Sequence, residues 1–266
     1  MPLCKDAVEH AASLLAEARL AASALPELPE SCRPESLADA YAVQMALHRK
    51  LAKAGWGQIA GHKIGCTTTV MQQYLNIEEP CAGGIFAKTI TFEEGHYARS
   101  ALCRPGVECE IAVRLSADLP GQSGGYTHAT IEDAVGAVMA SIELVDDRWD
   151  DFTALPMASL LADDFFGAGC VLGAEMTNWR NLDLATLCGR MLINGNQVGE
   201  GMGGDILGHP LNALVWLADL RAKQSMPLKA GEIVTLGSLV KTVWVDKGDE
   251  IVADIDGLRR TVLVID

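Results

Sequence analysis

None of the eight cysteines stands in a Cys-x-x-Cys pair, no basic stripe offsets the acidic residues, and no apolar run approaches the length of a membrane span. Each absence removes a class of function. Cys4, Cys32, Cys66, Cys81, Cys103, Cys109, Cys170 and Cys188 are scattered, several in apolar runs where a free thiol behaves as a small hydrophobe. A reducing cytoplasm is the simplest compartment for them. Lys and Arg number 21 against 35 Asp and Glu, a formal charge of -14. That balance cannot neutralise the phosphates of a nucleic acid or favour an anionic membrane surface. Without a long apolar stretch there is no spanning helix. The Ala- and Leu-rich N-terminus is broken by Glu9, Glu17 and Arg19 and lacks a signal peptide's apolar region. Gly201-Met202-Gly203-Gly204 has neither the strand–turn–helix context nor the following acid of a dinucleotide fingerprint, and reads as a flexible loop. The expectation is a cytoplasmic protein with no nucleic-acid and no membrane partner. If its substrate is an anion, a metal and a few local donors must overcome a repulsive overall field.

What is present is an ordinary globular composition, 49% hydrophobic and 21% charged over 266 residues, enough for a large core without disulfides. Residues from about Asp6 to Ala22 have helical spacing, and the Pro-rich stretch Pro26–Pro34 breaks them. Ser36 caps a second helix running toward Ala54, which Gly55-Trp56-Gly57 ends. Residues 1–57 are therefore expected to form a helical N-terminal subdomain and 58–266 a β-rich catalytic domain. Strands are expected at Ile59–Ile64, Glu108–Leu115, Ala140–Val145, Cys170–Leu172, Met191–Val198, Ile233–Leu236, Val240–Val245, Glu250–Ile255 and Thr261–Ile265, the last four as an antiparallel meander. Helices are expected near Thr130 and after Gly208-His209-Pro210. The fold class is α+β.

Chemistry concentrates in one strand pattern. Val107, Cys109, Ile111, Val113 and Leu115 alternate with Glu108 and Glu110, so both carboxylates leave from one face. Glu143 is the single charge in the apolar run Met139–Val145. Three carboxylates converging from rigid strands suit a hard divalent cation. A solvated outer face, or an Arg148 partner for Glu143, would account for the same residues without one. Lys63 lies between Gly61 and Gly65 and reads either as a surface lysine or as one approached closely by a ligand. On a strand His62 points away from Lys63 and is read as structural. His209, before a helix-opening proline, is read as a cap or packing residue. The acidic run Asp146, Asp147, Asp150 and Asp151 is expected to be a solvated loop.

Five ordered strings add to this: Gly61-His62-Lys63-Ile64-Gly65, Glu108-Cys109-Glu110-Ile111-Ala112, Ile142-Glu143-Leu144-Val145-Asp146, Gly208-His209-Pro210-Leu211-Asn212 and Leu236-Gly237-Ser238. In this order and spacing the chain resembles the 2-keto-4-pentenoate (2-hydroxypenta-2,4-dienoate) hydratases of the fumarylacetoacetate hydrolase superfamily, from the second helix to the C-terminus. The resemblance implies a mixed β-roll or β-sandwich body and a metal, Mg²⁺ or Mn²⁺, held by Glu108, Glu110 and Glu143. It places Lys63 facing the substrate as proton carrier, its pKa lowered beside the dication, and Gly65, Cys81, Gly237 and Ser238 around a small 2-oxo or 2-hydroxydienoic acid. The chain departs from the pattern at Cys81, where an Asp follows Glu-Pro in the hydratases. It departs again at Asp164, where Asn is more usual, and at Cys66, where a bulkier apolar residue is usual. Asp164 is read either as a turn residue or as a catalytic carboxylate ordering water, and Cys81 as a buried or pocket-wall thiol.

The implied reaction is metal-dependent hydration of a 2-hydroxy-2,4-dienoate to a 4-hydroxy-2-oxo acid, as in aromatic-compound degradation. Decarboxylation of a 2-oxo-3-enedioate uses the same enolate chemistry and stays open. So does a non-catalytic metal-binding subunit complexed with a related decarboxylase. Hydrolysis of a C–C bond would need a His–Glu pair to activate water, and the sequence offers no clear counterpart. Members of the family often form homo-oligomers, which is the expectation here.

Overall fold

A computed structural model describes residues 2–68, 72, 77 and 79–266. The chain opens with helix α1 (Lys5–Ala21), whose Ala11, Ala12, Leu15 and Ala18 are buried. Helix α2 (Leu37–Leu51) starts where the sequence places it: the Ser36 hydroxyl accepts the Asp39 N–H at 3.1 Å and donates to the Asp39 carboxylate at 2.8 Å. Removing this cap with Ser36→Ala is expected to cost about 1 kcal/mol, a fall in Tm of roughly 2–4 °C for a domain of this size, read by thermal denaturation. Val43, Leu47 and Leu51 of α2 share a core with Phe86, Trp149, Leu160 and Leu161. The helices are thereby fastened to the β-body by apolar contact.

The strands are β1 (Ile59–Gly65), β2 (Cys81–Phe86), β3 (Ile90–Phe92), β4 (Glu94–Tyr97), β5 (Pro105–Leu115), β6 (Val135–Asp146), β7 (Gly167–Leu172), β8 (Cys188–Ile193), β9 (Asn196–Met202), β10 (Ile233–Ser238), β11 (Val243–Trp244), β12 (Glu250–Ile255) and β13 (Thr261–Ile265). Among the described residues they make an eight-stranded sheet, ordered β2-β1-β10-β5-β6-β7-β3 with β11 on β5, and a five-stranded sheet, β4-β13-β12-β8-β9. The main core lies where Val107, Cys109, Ile111, Ile142 and Leu144 of the first sheet meet Ile251, Ala253, Ile255, Leu263 and Ile265 of the second. This is the expected α+β, mixed two-sheet body with helices at its N-terminal side. No helix among the described residues is long and apolar enough to cross a membrane.

Several local expectations fail, each for a physical reason. The C-terminal strands are not one meander. β10 is buried on both faces and sits mid-sheet between β1 and β5, whereas β12 and β13 alternate buried and half-buried residues and join the other sheet. Met191–Val198 is two strands, because Asn194 and Gly195 take φ of 52° and 77° and close a hairpin. Gly201 and Met202 end β9 rather than forming a flexible loop. Asp146 and Asp147 are buried, and only Asp150 and Asp151 of that run are exposed. Asp146 accepts the backbone N–H groups of Cys103 and Arg104 at 2.8 and 2.7 Å.

Candidate active site

Strand register gathers the carboxylates. Glu108 and Glu110 leave β5 on the face opposite its core residues, and antiparallel β6 places Glu143 directly across from Glu108. One ligand oxygen from each of the three lies within 4.8 Å of the others. The face is not solvated: Glu110 is 1% exposed and Glu143 2%. Its covering comes partly from β10. Gly237 donates its N–H to Glu110 at 2.8 Å, and Ser238 is the cross-strand partner of Glu110, with its hydroxyl turned to the Val240 carbonyl at 2.5 Å. Gly237 has φ 114°, and a Cβ there would overlap the Thr67 hydroxyl, so this turn requires glycine. The Thr242 hydroxyl donates to Glu108.

Lys63 enters from β1 and is buried, not a surface lysine. Its Nζ lies 2.9 Å from Glu143 Oε1 and donates to the Phe165 carbonyl at 3.0 Å. Arg148, the alternative partner for Glu143, instead meets Asp163 at 2.9 Å and Asp146 at 3.5 Å. Burial pulls the Lys63 pKa down, but the charges of Glu143 and Glu108 outweigh it and hold the group above its ordinary value as an ammonium. The lowered value inferred from the resemblance belongs to the opposite charge balance, a lysine beside a dication.

The same bookkeeping describes the acids. Burial, then the neighbouring Glu143 and Glu108 charges, push Glu110 well above the usual carboxylate range. Burial and Glu143 raise Glu108 as well. Among the described residues, Glu143 Oε1, although close to the ammonium, has no hydrogen-bond donor in line with it. Three hard oxygen donors, two buried and one half-buried, mutually repelling and short of positive charge, fit a divalent cation.

Gly65 and Cys81 border this cluster as cross-strand neighbours on β1 and β2. A Cβ on Gly65 would lie 3.1 Å from Cys81 Sγ and 3.9 Å from Lys63 Nζ. Cys81 is buried, and its contact with Cys66 together with burial pushes its thiol well above the ordinary value. That suits a pocket wall rather than a nucleophile toward the substrate.

Asp164 is the predicted site residue that is not brought to the carboxylates. It is 0% exposed and accepts His48 Nε2 at 2.7 Å, the Gly84 N–H at 2.9 Å and Arg19 Nη2 at 3.3 Å. Burial would raise its pKa, but the His48 ring, Arg19 and the Gly84 N–H hold it at about 2. Asp164, Phe165 and Phe166 are all left-handed, with φ of 51°, 48° and 67°. Such a run persists only where its surroundings fix it, and it aims the Phe165 carbonyl at Lys63. Gly84 makes the room, since a Cβ there would come within 2.6 Å of the His48 ring.

The sequence reading missed His48, Arg19 and the Phe165 carbonyl. His48 and Asp164 form a His–carboxylate pair separated by 116 residues, which no local motif reveals. One signal existed: Gln44 and His48 stand one turn apart beside α2's apolar stripe, and Gln44 is buried, bonded to the Ala82 and Leu161 carbonyls at 2.9 Å. His62 faces away from the cluster, 3.1 Å from Arg221, and His209 caps the helix Pro210–Lys223 through Nδ1, both as read from sequence.

The comparisons with known proteins bear on the same region. The family described as "Fumarylacetoacetate (FAA) hydrolase C-terminal" matches residues 85–263. A 2-keto-4-pentenoate hydratase of Burkholderia vietnamiensis (strain G4 / LMG 22486) is 31% identical over 253 residues, 95% of each chain. A 2-hydroxyhexa-2,4-dienoate hydratase of Comamonas testosteroni is 31% identical over 257 residues, 96% of each. Among solved structures, 4-oxalocrotonate decarboxylase from Pseudomonas putida G7, complexed with magnesium and adipate, superposes with a TM-score of 0.91 at 27% identity, covering 99% of both chains. With its carboxylate-bearing two-sheet body and full-length hydratase relatives, the chain belongs to the fumarylacetoacetate hydrolase family as a 2-keto-4-pentenoate hydratase-like enzyme.

Proposed function

We propose that the protein hydrates a 2-hydroxy-2,4-dienoate to a 4-hydroxy-2-oxo acid with a divalent cation, Mg²⁺ or Mn²⁺, held by Glu108, Glu110 and Glu143. The observation that carries this reading is the convergence of three carboxylates within 4.8 Å beside a buried ammonium, in a chain with hydratase relatives along 95% of its length. When bound, the cation supplies Lewis-acid stabilisation for the substrate's carboxylate and 2-oxygen as the enolate develops. The remaining work falls to the chain's own groups. Lys63, fixed between Glu143 and the Phe165 carbonyl, gives a proton from Nζ toward the substrate's carbon chain during ketonisation. The amine left behind takes a proton from the water whose oxygen adds at C4, and C3 takes from solvent the proton that the 2-hydroxyl released during ketonisation. Gly65, Cys81, Gly237 and Ser238 bound the space in which the acid lies. Asp164 acts through the turn that positions the Phe165 carbonyl.

The test is loss of dienoate ultraviolet absorbance when purified protein and Mg²⁺ meet 2-hydroxypenta-2,4-dienoate, with products identified by mass. A Mg²⁺-dependent gain of one water is expected. Lys63→Ala should lower kcat by about 10²–10⁴-fold while keeping Mg²⁺ binding. Absence of turnover with bound Mg²⁺ would sink the reading. The likeness to a decarboxylase structure over 99% of both chains favours one alternative, decarboxylation of a 2-oxo-3-enedioate, recognised by release of carbon dioxide instead. A chain that binds Mg²⁺ and turns over neither acid alone would act as a partner subunit of such a decarboxylase.

A further inference from the structure

Two departures from the hydratase pattern that lie apart in the sequence, Cys66 and Cys81, are partners in space: their Sγ atoms stand 3.7 Å apart. We propose that this pair is a dithiol modification site at the rim of the candidate active site, converted by hydroperoxides into a reversible Cys66–Cys81 disulfide.

The placement supports it at each level. Gly65 at the end of β1 is paired with Cys81 at the start of β2, so the next residue, Cys66, stands within one residue of a cross-strand partner. Cys66 takes a left-handed φ of 59°. Bringing the sulfurs from contact to the ~2.05 Å of a disulfide needs less than 2 Å of approach, the scale of a side-chain rotation. The two thiols differ in access: Cys66 is half-buried, whereas Cys81 is buried. Cys66 is therefore the sulfur a small oxidant meets, and Cys81 the one held in reserve behind it.

The chemistry balances without another reactant. The Cys66 sulfur attacks the peroxide, the O–O bond breaks, and Cys66 sulfenic acid forms while the thiol's proton leaves with the departing oxygen as water or alcohol. The Cys81 sulfur then attacks the Cys66 sulfur. The S–O bond breaks, the S–S bond forms, and the Cys81 proton leaves with the hydroxyl as water. Two thiols lose two hydrogens and one peroxide gains two electrons. Because Cys81 Sγ packs on Gly65 beside Lys63, the cross-link remodels the wall next to the proton carrier. That consequence rests on the hydratase reading. Formation of the bond does not.

The experiment uses the full chain carrying Cys4→Ser, which removes an exposed thiol, treated with stoichiometric hydrogen peroxide and digested without reductant. The expected result is loss of two hydrogens from the intact mass and a cross-linked peptide joining Cys66 to Cys81, both reversed by dithiothreitol. Cys81→Ser should leave a Cys66 sulfenic acid trappable by dimedone, and Cys66→Ser should leave Cys81 unmodified. Oxidation of Cys66 to sulfinic acid in the chain that retains both thiols, or survival of both thiols, would overturn the proposal. Dienoate turnover is read on the same samples, each variant against itself before and after oxidant. A fall of tenfold or more that tracks the cross-link is expected. A cross-link in a chain inactive even when reduced would leave the redox site standing and count against the hydratase reading alone.

Discussion

Glu110→Gln is expected to abolish the thermal stabilisation given by Mg²⁺ and to lower dienoate turnover by about a hundredfold to a thousandfold, the several kcal/mol a Lewis acid is worth. The same change should make the metal-free protein more stable. Glutamine keeps an acceptor for the Gly237 N–H, now 2.8 Å from Glu110 Oε2, so no buried donor is orphaned. It also removes one of three crowded charges. The sign with pH follows from the direction of the shift. Burial and the charges of Glu143 and Glu108 hold the folded-state pKa of Glu110 above its unfolded value of 4.5. Its contribution to stability is therefore full below that value and is lost as pH rises through the folded pKa. The metal-free protein should lose stability over that rise, Mg²⁺ should restore it, and Glu110→Gln should show a smaller loss, with Glu108 still raised, and no response to Mg²⁺. Thermal denaturation from pH 5 to pH 8, with and without MgCl₂, reads all three. A variant that still gains stability from Mg²⁺ would remove Glu110 from the proposed ligand set.

The period-two alternation around Glu108 and Glu110 was enough to place both on one face, because strand geometry is local. That Glu143 faces them depends on register between β5 and β6, which alternation alone does not specify; the ordered family strings supplied it. The same division explains the errors. The short connection after β10 suggests a hairpin strand, but its run Ile233–Leu236 is buried on both faces, the mark of a central strand. Asp146 and Asp147 looked solvated because charge was counted without its partners, which come from residues 103, 104 and 148. Lys63 read alone is a surface residue. Its burial becomes affordable only with Glu143, eighty residues away, and with a carbonyl from a turn 102 residues away. Local pattern thus revealed which side chains share a face, and remained silent on which distant groups neutralise them.

The left-handed turn at Asp164 gives the second large effect, this time on stability. Asp164→Ala removes the acceptor of His48 and of the Gly84 N–H and leaves Arg19, buried at the α1 end of the network, with Asp163 and two carbonyls. Breaking a buried, hydrogen-bonded charge set by deleting one partner costs about 3–5 kcal/mol, or roughly 10 °C in Tm for a chain of this length. Alanine also tolerates the φ of 51° less well than aspartate. Asp164→Asn keeps an amide oxygen for His48 and Gly84 and should lose much less. The pH signature separates the charge from the packing. With a folded pKa of about 2 against an ordinary 3.8, ionised Asp164 contributes about 2 kcal/mol. That contribution is fully present above the unfolded value and is lost as pH falls through the folded one. Urea denaturation should therefore show a gap between the parent chain and Asp164→Ala that is widest above pH 4 and narrows toward pH 2. A gap constant across that range would mean that the turn is held by shape alone. A narrowing gap, with kcat reduced and Mg²⁺ binding unchanged in Asp164→Ala, would tie the carboxylate to Lys63 through the Phe165 carbonyl it fixes in place.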